Sequence, residues 1–171
     1  MFIEVELFTI DHVIHGLVDA ADDRLSDALN IKELTNIFVT EVQIARLLNV
    51  GKIPPVQLSD ASVEKSAIVF AVPVEKDITH KSLFRRTSRQ GYAVTLLLPN
   101  FELQGIVHLT EKLDVQRSLR VRTENFLAIT DATATFVLNP QVTVKAGTII
   151  FNRSMISAVA ERLIMKKPPA A

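Results

Sequence analysis

Apolar and polar residues alternate with period two over several short stretches of the chain. Ile3-Glu4-Val5-Glu6-Leu7 places every second side chain on an apolar face, the signature of a half-buried strand. Asp11 follows as a turn residue, and Val13-Ile14-His15-Gly16-Leu17-Val18 then reads as a returning strand, so the first two strands predict a hairpin. Leu25, Ala28 and Leu29 share one face of a short helix that Asp23 can cap. A long strand is expected next, with Val42, Ile44 and Leu48 alternating with Glu41 and Gln43. After a loop, Ser66–Val72 (SAIVFAV) is expected as the last strand.

The same succession starts again at Tyr92. Val5 falls on Val94, Leu7 on Leu96, Gly16 on Gly105 and Val18 on Val107, at a constant offset of 89. Asp11 meets Asn100 and Ile14 meets Leu103. From the helix onward the offset is 90: Leu25 meets Val115, Leu29 meets Leu119 and Ile31 meets Val121, with Asp114 in the capping place. Val39-Thr40-Glu41 then meets Ile129-Thr130-Asp131, and Leu48-Asn49 meets Leu138-Asn139. AIVF at Ala67 is set over TIIF at Thr148, with a loop about nine residues longer in the first copy. Each copy reads β-β-α-β-β, with one further strand allowed.

The fold expected is mainly β, with a minor α+β character. Two tandem lobes, each a small barrel or curled sheet, would pack as a pseudo-twofold pair, because one lobe alone has little core and open edges. The first repeat covers 1–75, a basic linker that can be helical covers 76–91, the second repeat covers 92–165, and 166–171 is a flexible tail. Gly16 and Gly105 are expected at strand bulges or close backbone approaches.

Composition narrows the function. Of 171 residues 48% are hydrophobic, a surplus for so small a protein that points to a homo-oligomer or a protein partner. Net charge is zero, so nothing global points to nucleic acid or an anionic surface. There is no cysteine, which excludes disulfides, thiolate metal sites and cysteine nucleophiles. Glu4 and Glu6 interrupt the N-terminal apolar residues, which therefore read as strand and not as a signal peptide. The apolar runs are too short to span a bilayer. A cytoplasmic protein without membrane contact is expected.

Candidate chemistry is sparse. His12 and His15 stand three apart on an expected strand, where such residues point to opposite faces, so no metal site is expected there. Glu41 and Asp131 are equivalent acids of the two copies. Paired, they could do acid–base work, and a hydrolytic enzyme built on them is the distant alternative. Lys81, Arg85, Arg86 and Arg89 make the densest basic stretch, and could hold a phosphate-bearing ligand, a nucleotide or nucleic acid. Arg85 and Arg89 have the R-x-x-x-R spacing of PilZ domains, but Glu102 stands where that pattern requires serine.

Three segments carry a resemblance. Arg24-Leu25-Ser26-Asp27 with Leu29-Asn30, Phe126-Leu127 with Thr130-Asp131-Ala132, and Asn152, Ser154, Ile156 and Val159 resemble motifs of a family of small bacterial domains of unknown function. In that family the motifs follow each other in one unit, whereas here the first lies in the first copy and the others in the second. The resemblance implies a bacterial setting and supports the duplication; it implies no activity or cofactor. The expectation is a non-enzymatic binding or regulatory module that self-associates, with no cofactor, and with phosphate binding through the basic linker as the alternative.

Overall fold

A computed structural model describes residues 1–21, 24–74, 90–109 and 115–162. The candidate phosphate ligands Lys81, Arg85, Arg86 and Arg89 lie outside these residues, as do the proposed caps Asp23 and Asp114 and the 166–171 tail.

The strands are β1 (Phe2–Phe8), β2 (His12–Asp19), β3 (Asn36–Arg46), β4 (Val56–Glu64), β5 (Phe70–Pro73), β6 (Gln90–Leu98), β7 (Phe101–Leu109), β8 (Phe126–Phe136), β9 (Thr143–Asn152) and β10 (Ala158–Glu161). Among the described residues two short helices, α1 (Leu25–Leu29) and α2 (Val115–Val121), follow β2 and β7. Single 3-10 turns lie at Leu47–Asn49, Lys65–Ala67 and Arg153–Met155. No helix among the described residues is long and apolar enough to cross a membrane.

Among the described residues all ten strands join one antiparallel sheet in the order β10-β6-β7-β8-β9-β5-β1-β2-β3-β4. The sheet is open, with β10 and β4 at its ends, so the barrel expectation does not hold. The first five strands of this order and the last five are the same succession: β10, β6, β7, β8 and β9 stand to each other as β5, β1, β2, β3 and β4 do. Registers follow suit. Leu7 pairs with Ala71 as Leu96 pairs with Val159, and Ile37 pairs with Val63 as Leu127 pairs with Phe151.

Two expectations about the halves are corrected by these pairings. AIVF and TIIF are not counterparts but partners, since Phe70 pairs with Phe151 and Ala71 with Ile150. The counterpart of β5 is β10, and that of β9 is β4, with no long extra loop. The halves are also not related by a twofold, which would set β10 on β4 as well as β5 on β9. Instead the far strand of one half meets the near strand of the other.

The hairpins form as the alternation requires. Between β6 and β7 the turn residue Asn100 takes φ 62°, a left-handed conformation that Asn tolerates. Gly16 lies opposite a bulge at Glu41 (φ 51°), and Gly105 opposite one at Asp131 (φ 47°). A Cβ on Gly16 would stand 2.6 Å from the Thr40 carbonyl oxygen, and one on Gly105 2.7 Å from that of Thr130. Both glycines are thus required by close backbone approach. Leu48 was expected to continue the β3 alternation, but β3 ends at Arg46; the 3-10 turn buries Leu47 and exposes Leu48.

Two apolar cores result. One gathers Val5, Leu7, Val18, Leu25, Leu29, Val39 and Ile68 of the first half, and the other Leu96, Leu103, Val115, Leu119, Ile129 and Phe136 of the second. The strands at the junction serve both. Phe70, Val72, Ile149 and Phe151 face the second-half core, while Ala71 and Ile150 face the first. Burial on both sides explains why AIVF and TIIF are continuous apolar runs where other strands alternate.

Candidate functional site at the joint between the halves

The joint is built from α1, β5, β8, β9 and the 3-10 turn that follows β9. Asn30 ends α1. Its Nδ2 donates to the Phe126 carbonyl at 2.9 Å, and its Oδ1 accepts from the Phe126 N–H at 2.9 Å. A side-chain amide thus does for the start of β8 what a neighbouring strand would do. Asn152 is fully buried at the end of β9. Its backbone N–H donates to the Val69 carbonyl and its Nδ2 to the Ile68 carbonyl, both at 2.9 Å. Its Oδ1 accepts from the Ser154 hydroxyl at 2.6 Å and from Asn125 Nδ2 at 3.1 Å. Every polar atom of this buried amide is satisfied, which keeps the desolvation cost from being realised.

An aromatic cluster holds the opposite side of the sheet. Phe8 stacks on Phe70 at a centroid distance of 4.4 Å, and Phe70 meets Phe101 edge-on at 4.8 Å. Phe101 in turn packs on Phe136 at 5.2 Å. Two rings come from each half, and each such contact adds about 0.5–1.5 kcal/mol beyond the burial of its area.

The three segments set apart in the sequence, 24–30, 126–132 and 152–159, meet here. Asn30 from the first, Phe126 from the second and Asn152 with Ser154 from the third share one hydrogen-bonded patch. Although divided between the halves in sequence, they are adjacent in space.

Beside the patch lies an open cleft of about 490 Å3, lined by Leu29, Asn30, Lys65, Thr123, Asn125 and Phe126 among others. The Lys65 ammonium donates to the Ile31 carbonyl at 2.9 Å. Burial lowers its pKa, with nearby Glu33 acting in the opposite direction. The cleft has the size of a small-molecule site.

The histidines and acids singled out in the sequence are placed separately. His12 Nδ1 lies 2.7 Å from Asp11 Oδ1, and His15 Nε2 lies 2.8 Å from Glu4 Oε1. The hydrogen bond from His12 holds the Asp11 carboxyl below its usual range. Glu41 and Asp131 occupy exposed bulges on β3 and β8, with four strands of the sheet between them. Among the described residues, no group of three or more His, Cys, Asp or Glu is placed to hold a metal ion.

Asn30, Asn125 and Asn152 were not singled out by chemistry, because a lone asparagine carries no motif. The signal that could have found them is the division of the three segments between the halves, 24–30 in the first and 126–132 and 152–159 in the second. Comparison with protein-family models, with curated proteins and with solved structures finds no match to this chain.

Proposed function

We propose that the chain is an internal duplication that acts as a non-enzymatic binding or regulatory module and self-associates. Matching hydrogen bonds support the duplication. Lys65 N–H donates to the Thr35 carbonyl as Arg153 N–H does to that of Asn125, and Val69 N–H donates to Phe8 as Ser157 N–H does to Leu97.

The observation that carries self-association is the apolar surface of β3 and β4 at one end of the sheet. Phe38 is 69% exposed, Val56 58% and Leu58 47%, on two neighbouring strands of which the outer, among the described residues, has an unpaired edge. An open, apolar edge strand is a template for pairing with another chain. Size-exclusion chromatography with light scattering tests the reading. A mass above the 19.0 kDa of one chain at micromolar concentration is expected, and 19.0 kDa throughout would overturn it.

A further inference from the structure

The joint inside the chain is made by β9 of the second half and β5 of the first. Their counterparts, β4 and β10, are the two ends of the sheet. Resting on the self-association proposed above, we infer that β4 of one molecule pairs antiparallel with β10 of a second copy, head to tail. The register follows from the internal joint. Ala71 opposite Ile150 becomes Val159 opposite Ser62, and Phe70 opposite Phe151 becomes Ala158 opposite Val63.

The free ends differ from the internal joint in complementary ways. At the joint, Ala128 and Ile150 are cross-strand neighbours, and Ile150 is buried in the first-half core. Their counterparts are Phe38 and Ser62, which are also cross-strand neighbours. The large side chain has moved from the outer strand to the inner one but keeps its place on the face. On the other end of the molecule, a groove of about 130 Å3 lies between α2 and β10, lined by Leu119, Ile156 and Val159 among others. The corresponding residues of the first half, Leu29, Ile68 and Ala71, share one buried core with Phe126 and Ile150. Phe38 is the side chain placed to enter the free one.

Charge agrees with this pairing. Asn30 and Asn152 flank Phe126 at the joint. The counterpart of Asn30 is Arg120, on the β10 end, and that of Asn152 is Glu64, on the β4 end. Docking head to tail therefore sets a cation against an anion where the joint has two amides. Phe8 and Leu47, which pack into the second-half core, have the exposed Leu97 and Val137 as counterparts, ready to be covered by a neighbour.

The aromatic cluster has no equivalent between molecules. Phe101 and Phe136 correspond to His12 and Arg46, and Phe70 to Ala158. The contact between chains is thus weaker than the joint within one and depends on concentration. Because it joins unlike surfaces, it builds a ring or an open row and not an isolated twofold dimer.

The chain has no cysteine, so engineered thiols report their own neighbours. Cross-strand partners stand about 4.5–5.5 Å apart at Cα, within disulfide reach. Full-length Ser62→Cys and Val159→Cys are oxidised alone and mixed. Disulfide dimers in the mixture only are expected. Dimers of Ser62→Cys alone would show like surfaces meeting and overturn the inference. No cross-link in the mixture, where the wild type self-associates, would overturn the edge assignment but leave the self-association reading standing, whereas a monomeric wild type would sink both. Charge reversal gives a second reading: Glu64→Arg or Arg120→Glu alone should weaken association about tenfold or more, and the two together should restore it. Two reversals that fail to compensate would contradict the pairing.

Discussion

Asn30 grips Phe126 by both of its backbone hydrogen-bonding groups, at 2.9 Å each, across 96 residues of sequence. The short helix α1 is thereby tied to the second half by a contact that no side chain of β8 makes. Replacing Asn30 with Ala strands the Phe126 N–H and carbonyl in a partly buried place, and should cost about 1–3 kcal/mol. Urea denaturation reads this as a lower midpoint; an unchanged midpoint would remove the clamp from the account.

Gly16 and Gly105 should be less replaceable than Gly51. An alanine Cβ at either of the first two meets backbone oxygen at 2.6–2.7 Å, and such overpacking costs about 1–3 kcal/mol. Gly51 has open space and only its φ of +79° to defend, which is worth about 1–2 kcal/mol. Thermal unfolding of the three alanine variants should place Gly51→Ala nearest the wild type.

Phe70 and Phe38 should separate folding from association. Phe70 is fully buried between the halves, and Phe70→Ala should cost about 3–5 kcal/mol. Phe38→Ala, on an exposed site, should change the stability of the dilute protein by no more than about 0.5 kcal/mol. Denaturation at low concentration measures both. A large loss at Phe38 would mean that it packs within its own chain.

Stability should respond to pH through Asp11 and Lys65 with opposite placement. The hydrogen bond from His12 lowers the Asp11 pKa in the folded state. Its contribution is therefore present above the ordinary carboxylate value and lost as pH falls through the folded one. Asp11→Asn should flatten the acid limb slightly, since both groups are exposed. Burial lowers the Lys65 pKa, so the unfolded chain binds that proton more tightly. Stability should rise with pH between the folded value and the ordinary lysine value, and Lys65→Met should abolish that rise. Urea midpoints across pH check both signs.

Much of the local build was legible in the sequence. Period-two alternation gave the hairpins, and the offset of Gly16 from Gly105 marked two equivalent bulges. AIVF and TIIF look like counterparts in the sequence but are partners in the sheet, for a physical reason. Both strands lie between two cores, so both are apolar on two faces, and a shared environment produced the likeness. The true counterpart of β5, Ala158–Glu161, sits at a free end with one neighbour and has a different composition. The relation between the halves was not legible, because alternation says which side chains are buried and not which copy covers them. The basic segment at Lys81–Arg89 lies outside the described residues, and the His12 and His15 pair resolved into two separate contacts with acids.

Sedimentation of the full-length wild type and of Phe38→Asp over a range of concentrations tests the central claim most directly. The wild-type mass should climb above 19.0 kDa with concentration while the variant, folded to the same stability, stays at 19.0 kDa. Identical behaviour of the two proteins, whether both associate or both remain single chains, would contradict it.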